Sequence, residues 1–189
     1  MLQHPPLVLA SQSPRRRQLL TEAGFRFTIR TYDVPEDFPA DMPVEDVPVY
    51  LAQKKARAGL ADLTGNEVLL TADSVVILDG MIFNKPANHR EAVQMLSALS
   101  DRTHTVITGV CLMSREKEKT FAGVSKVTFA PLSDREIDFY IREYQPFDKA
   151  GSYGVQDWIG LCKVVKIEGT YANVMGLPVD LVYTALQEF

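Results

Sequence analysis

The chain has 189 residues, 46% hydrophobic and 23% charged, enough to bury a sizeable core as one domain over residues 1–189. A formal net charge of −4 argues against a general binder of nucleic-acid polymers, which carries a basic face, and the longest apolar runs fall far short of a membrane span. The two cysteines, Cys111 and Cys162, lie far apart without a CxxC, so neither a disulfide framework nor a thiolate zinc site is indicated and a reducing cytoplasm is expected.

Met1–Gln3 leads into the first strand with no basic-then-apolar leader. Leu7–Ala10 is a short apolar run between Pro6 and Ser11–Gln12–Ser13, as a strand buried on both faces requires. Ser13 offers an N-cap oxygen and Pro14 fits the first helical position, so a helix starts here. Arg15, Arg16 and Arg17 crowd its positive end, where cations are repelled by about 0.3–1 kcal/mol each. Arginines solvating an exposed turn are one reading. The run of strand, hydroxyls, proline and arginines favours the other, a phosphate site at a helix N-terminus.

Ala23–Gly24 stops that helix, and Phe25–Thr31 alternates as a strand with Phe25, Phe27 and Ile29 on one face. Residues 32–48, rich in acids and prolines, read as a loop long enough to be a binding segment or lid. Val49–Leu63 has helical spacing, with Lys55 beside its apolar stripe, either snorkelling or reaching a phosphate. Val68–Ala72 and Val75–Leu78 are apolar strand runs interrupted by Asp73–Ser74. A carboxylate there is costly unless hydrogen-bonded, paired or bound to metal, so Asp73 is either a structural aspartate or a catalytic or metal-binding one. Asp79–Gly80 predicts a hairpin returning through Met81–Phe83 toward Asn84–Lys85–Pro86.

Asn88 and Glu91 suggest a capping box for a helix to about Leu99, with Ala92, Val93, Met95, Leu96 and Leu99 inward. His104–Met113 and Thr120–Ala130 predict a long hairpin with one polar face, His104 serving a structural hydrogen bond. Ser133 and Glu136 cap a helix to about Tyr144 through Ile137, Tyr140 and Ile141. QPFDKAGSYGVQDWIG then reads as a glycine-punctuated loop holding Asp148, Lys149, Tyr153 and Gln156, either an ordinary loop or one shaped for close approach to a ligand. Leu161–Ile167 predicts a strand, Gly169–Asn173 a turn, and Gly176–Leu177–Pro178 the lead into a last helix to Gln187.

Seven blocks in order, LASQSPRR, KKARA, TADSVV, NKP, THTVITGV, QPFDKAGSYGVQ and IEGTYANVMGLP, resemble those of the Maf family of nucleoside triphosphate pyrophosphatases across nearly the whole chain. The resemblance implies an inosine-triphosphate-pyrophosphatase-like α/β fold: an elongated mixed β-sheet with flanking helices in two lobes around a central cleft. It also implies cleavage of a nucleoside triphosphate between the α- and β-phosphates with a divalent cation, Mg²⁺ or Mn²⁺. Ser11, Ser13, Arg15 and Arg16 match the phosphate-binding turn, and Asp73 matches the proton acceptor that activates water. Glu36 stands where the family carries a glutamate for the metal, which Asp73 would share. Lys55, Lys85 and Lys149 match lysines that face the triphosphate and balance charge on the departing pyrophosphate.

Arg15, Ser74 and Gln156 resemble the branch preferring dTTP and UTP, with Ser74 in place of that branch's usual threonine. Gln156 offers both a donor and an acceptor to a pyrimidine edge. The branch resembling 7-methyl-GTP pyrophosphatases has instead a glutamine after the acid and a glutamate in the later loop. The partner implied is a small nucleotide, with no polymer and no membrane, and the assembly implied is a homodimer. Two rivals remain: the same chemistry on 7-methyl-GTP or other modified nucleotides, and a non-catalytic nucleotide-binding regulator linked to cell division. With no GxxxxGK[ST] and no GxGxxG, a P-loop or dinucleotide-binding enzyme is nearly excluded. The scattered His4, His89 and His104 argue against a histidine metal cage.

Overall fold

Residues 4–189 are described by the computed structural model; Met1–Gln3, on which the expectation about a leader rests, lie outside the described residues. Among the latter, seven strands form one mixed sheet: β1 (Leu7–Leu9), β2 (Phe27–Ile29), β3 (Val68–Leu78), β4 (Met81–Phe83), β5 (Thr103–Met113), β6 (Glu118–Phe129) and β7 (Val164–Glu168). Their order is β2-β1-β3-β5-β6-β7, with β4 paired to β3. Leu7 lies opposite both Phe27 and Val68 in parallel register, whereas β4 runs antiparallel to β3 and β7 antiparallel to β6. The flanking helices are α1 (Pro14–Glu22), α2 (Val47–Gly59), α3 (His89–Leu99), α4 (Asp134–Tyr144), α5 (Trp158–Lys163), α6 (Tyr171–Met175) and α7 (Val179–Leu186).

The chain divides into two compact units, residues 1–73, 108–123 and 176–189 in the first and 74–107 and 124–175 in the second. In the first, Val8, Leu69, Cys111 and Met113 of the sheet meet Ala52 and Ala56 of α2 in one apolar cluster closed by Leu63. Small residues on α2 let it lie close to the strands, and Gly109 makes that possible: a Cβ there would stand 2.2 Å from the Pro48 carbonyl carbon. The Thr71 hydroxyl donates to the Ala52 carbonyl at 2.6 Å, which fixes the height of α2 along β3.

In the second unit, Asp79 and Gly80 adopt φ of 52° and 74°, the doubly left-handed turn that joins twisted strands. α4 begins in a reciprocal capping box between Ser133 and Glu136. α3 has half of one: the Asn88 side chain accepts from the Glu91 N–H, but the Glu91 carboxylate accepts from Ala87 N–H. His104, Phe129 and Tyr153 meet edge to face, with ring centroids 4.9–5.3 Å apart. The Tyr153 hydroxyl lies 2.7 Å from His104 Nε2, the structural bond expected of that histidine.

Six local expectations are corrected. Asp73–Ser74 do not interrupt β3, which runs unbroken from Val68 to Leu78 because the carboxylate is paired rather than looped out. α2 begins at Val47, two residues early, because Pro48 fits a first-turn position; it ends at Gly59, and Leu60–Asp62 turns more tightly. Phe25 is buried but precedes a β2 of only three residues, whose Ile29 is exposed. Only β6 alternates between buried and exposed positions: β5 lies between β3 and β6, and its residues from Val106 onward are buried. Trp158–Lys163 is helical, so β7 starts at Val164, and Tyr171–Met175 forms a short helix where a turn was expected. Asp157 stands at the N-cap position of α5 without making a cap bond, since its carboxylate is engaged by Tyr140. No helix among the described residues is long and apolar enough to cross a membrane.

Candidate functional site

The first unit holds seven of the candidate residues: Ser11, Ser13, Arg15, Arg16, Glu36, Lys55 and Asp73. β1 ends at Leu9, and Ser11–Ser13 turn the chain into α1. Ser11 Oγ accepts from the Ser13 N–H at 3.2 Å and from the Arg16 guanidinium at 3.3 Å, while Ser13 Oγ caps the helix at the Arg16 N–H. Arg16 also donates through Nε to the Gly176 carbonyl at 2.8 Å, so the loop before α7 holds the guanidinium in place. Burial lowers the Arg16 pKa, as does Arg15, whereas Asp73 and Glu36 raise it. Arg16 therefore sits within the field of both candidate acids. No acid occupies the first turn of α1, which leaves its positive end to an anion.

Asp73 and Lys55 meet because of how α2 seats on β3. Thr71 and Asp73 project to the same side of the strand, and Ala52 and Lys55 lie one helical turn apart. With Thr71 bonded to Ala52, Lys55 is carried to Asp73: Nζ stands 2.6 Å from Asp73 Oδ1. The same ammonium is 2.7 Å from Glu36 Oε1, on the acidic segment between β2 and α2. The side chains of Asp73 and Lys55 are 12% and 19% exposed and that of Glu36 is 50% exposed, so this is an ion pair at the edge of the core with one solvent-facing acid. Asp37 pairs separately with Lys54 at 2.7 Å, which fastens the acidic segment to α2 next to the triad.

Two carboxylate oxygens converging on one cation is also the arrangement that a divalent ion asks of protein when phosphates complete its shell; Mg²⁺ is commonly held by one or two carboxylates. Among the described residues no group of three or more His, Cys, Asp and Glu side chains is placed to hold a metal. The donor set fits an ion shared with a substrate better than a closed protein cage.

Ser74, Lys85, Lys149 and Gln156 belong to the second unit. Ser74 follows Asp73 on β3, half-buried. Lys85 is exposed on the segment from β4 to α3, and the Asn84 carbonyl accepts from the Gly151 N–H at 3.2 Å, which brings that segment alongside the loop of Lys149. The Lys149 side chain is 13% exposed, with Nζ 2.9 Å from Asp148 Oδ1 and 3.9 Å from Asp157 Oδ2. Gln156 Oε1 is buried with no hydrogen-bond partner. Sequence reasoning passed over Asp157 and treated Tyr140 only as core; the signal for both was a buried phenol, which needs a polar partner.

The chain matches the family described as Maf-like protein over residues 6–189. It is 50% identical over 186 residues to the dTTP/UTP pyrophosphatase of Porphyromonas gingivalis, covering 97% of this chain and 94% of that one. It is 48% identical to that of Phocaeicola vulgatus (96% and 95%) and 43% identical to that of Cytophaga hutchinsonii (99% and 85%). Among solved structures, a HAM1 protein from Coxiella burnetii matches at a TM-score of 0.51 and 19% identity, covering 97% of this chain and 99% of that one, a likeness of fold. Full-length family agreement and this degree of identity point the same way: the chain belongs to the Maf family.

Proposed function

We propose that the chain hydrolyses nucleoside triphosphates, dTTP and UTP by preference, to the nucleoside monophosphate and pyrophosphate, and so clears unwanted nucleotides from the pool. The observation that carries this reading is Asp73, a carboxylate set in an otherwise apolar strand and fastened to Lys55 beside Glu36 and Arg16. The relatives named dTTP/UTP pyrophosphatase support the choice of substrate.

Asp73 accepts the proton of the attacking water, and Lys55 orients the carboxylate that does so. Arg15 and Arg16, at the positive end of α1, bind the phosphates at the turn of Ser11 and Ser13. Lys85 and Lys149 offset charge that builds on the departing pyrophosphate. Ser74 and Gln156 bind the remainder of the nucleotide, and the unpartnered Gln156 Oε1 is an acceptor for the N3–H of thymine or uracil. Glu36 and Asp73 would hold Mg²⁺ or Mn²⁺ together with phosphate oxygens. When bound, the ion withdraws charge from those oxygens. Two unpaired thiols accord with a cytoplasmic enzyme, and sedimentation of the purified chain tests the homodimer.

The test is release of pyrophosphate against single phosphate from dTTP, UTP, CTP, GTP and 7-methyl-GTP, with Mg²⁺, with Mn²⁺ and with a chelator. Metal-dependent pyrophosphate release highest on dTTP and UTP is expected. Binding without turnover under any metal would overturn the reading in favour of a regulator.

A further inference from the structure

Gly154, Val155, Gln156 and Asp157 form a tight turn closed by the Asp157 N–H, which donates to the Gly154 carbonyl at 3.0 Å. A single atom from α4 closes it a second time. The Tyr140 hydroxyl accepts from the Gly154 N–H at 3.0 Å and donates to Asp157 Oδ2 at 2.6 Å. The Asp157 carboxylate folds back so closely that a Cβ on residue 154 would stand 2.6 Å from Oδ2, which only glycine avoids. Val155, between the two ends, is buried. The turn therefore cannot pivot about its ends without breaking one of the two bonds to Tyr140.

Between those ends lies Gln156, whose Oε1 is buried and without a partner. An unsatisfied buried acceptor costs about 1–3 kcal/mol, and a functional role is one of the few reasons a fold keeps one. The same Asp157 Oδ2 lies 3.9 Å from Lys149 Nζ, so the carboxylate that closes the turn around Gln156 also stands near the lysine assigned to the phosphates.

We propose that Tyr140 and Asp157 are positioning residues for substrate selection: by clamping the Gly154–Asp157 turn they aim Gln156 at the base and hold Lys149 toward the phosphates. This rests on the pyrophosphatase reading above. Tyr140 is fully buried, and its ring stacks on Tyr144 at 5.1 Å, which braces it on α4. Burial first, and the bond to Asp157 second, push its phenol well above the usual range, which keeps it a donor at every working pH.

The experiment compares kcat/KM for UTP and GTP in the intact wild-type chain, in Tyr140→Phe and in Tyr153→Phe. Both variants keep the ring and lose one buried hydroxyl from the same region; the Tyr153 hydroxyl bonds His104 and touches neither end of the turn. In Tyr140→Phe the UTP-to-GTP ratio is expected to fall about tenfold, the worth of one well-placed hydrogen bond, with KM for UTP rising more than kcat falls. Tyr153→Phe is expected to lower thermal stability and leave the ratio unchanged. A Tyr140→Phe ratio within about twofold of wild type, or an equal loss in Tyr153→Phe, overturns the proposal. Should Tyr140→Phe not fold, Asp157→Ala is read by the same ratio. Calorimetric titration with UTP and GTP on the same proteins separates the two ideas. Absence of hydrolysis in the wild type defeats the enzymatic reading, whereas a wild-type preference in binding that survives Tyr140→Phe defeats the clamp.

Discussion

Lys55 Nζ lies 2.6 Å from Asp73 Oδ1, and the Thr71 hydroxyl bound to the Ala52 carbonyl is what brings the helix to that height on the strand. A buried carboxylate is tolerated in β3 because an ammonium from the neighbouring helix meets it there. Asp73→Asn keeps the shape of the side chain and removes its capacity as a base. It is expected to lower kcat by about 10²–10⁴ while calorimetry shows nucleotide binding largely retained. Turnover near the wild-type rate would take Asp73 out of the mechanism.

The seat of α2 offers a second test away from the charged groups. Gly109 lies under Pro48 and Val49, backbone against backbone, with 2.2 to 2.4 Å left for any Cβ. Backbone does not yield as a flexible side chain does, so Gly109→Ala forces α2 off β5 at a cost of about 1–3 kcal/mol or more. The expected readouts are an earlier denaturant midpoint and a raised KM, because Lys55 rides on the displaced helix. An unchanged midpoint would mean that the helix start is free to shift.

What the chain states locally was legible: the Ser13 cap and Pro14, the Asp79–Gly80 turn, the Ser133–Glu136 box, and the mixed α/β order with its nucleotide-pyrophosphatase-like fold. What depends on a distant partner was not. Asp73 read as a break in β3 because its partner, Lys55, lies on another element, and Asp157 failed to announce α5 because Tyr140 had taken its carboxylate. At the candidate site, residue types and order were readable, whereas contacts such as Arg16 to the Gly176 carbonyl arise only from the fold. β5 lost its expected polar face because side chains on both of its faces are buried from Val106 onward, and what packs against those faces is set by the fold.

His104 gives a pH prediction with a definite sign. Burial lowers its pKa from 6.5 to about 4, so it is neutral in the folded chain where an unfolded chain would bind a proton. The stability it contributes is complete above pH 6.5, declines as pH falls through the interval from 6.5 to 4, and is gone below. The loss is on the order of 3 kcal/mol. Below pH 4.5 Glu67 and Glu136, held near 2 chiefly by Arg30 and Lys163, add their own loss. Unfolding free energies of wild type and His104→Gln across pH 4.5 to 7 are expected to show a steep slope only in the wild type. Equal slopes would mean that His104 takes up a proton without unfolding the ring cluster with Phe129 and Tyr153.

The two thiols should separate cleanly by reactivity. Cys111 is buried in the first unit's apolar cluster beside Val8 and Ala56, and burial, then Glu118, pushes its thiol up to about 12. Thiolate is the reactive form, so Cys111 is protected both by access and by protonation. Cys162 is exposed on α5. A chromogenic disulfide reagent is expected to titrate one thiol promptly in the native chain and a second only after denaturant is added. Cys162→Ser should abolish the prompt phase and leave the slow one. Because Cys111 packs where α2 meets the sheet, the rate of its slow labelling without denaturant reports opening of that contact, and Gly109→Ala is expected to accelerate it. Acceleration by Gly109→Ala together with an unchanged denaturant midpoint would place the strain in local opening of α2 rather than in global unfolding.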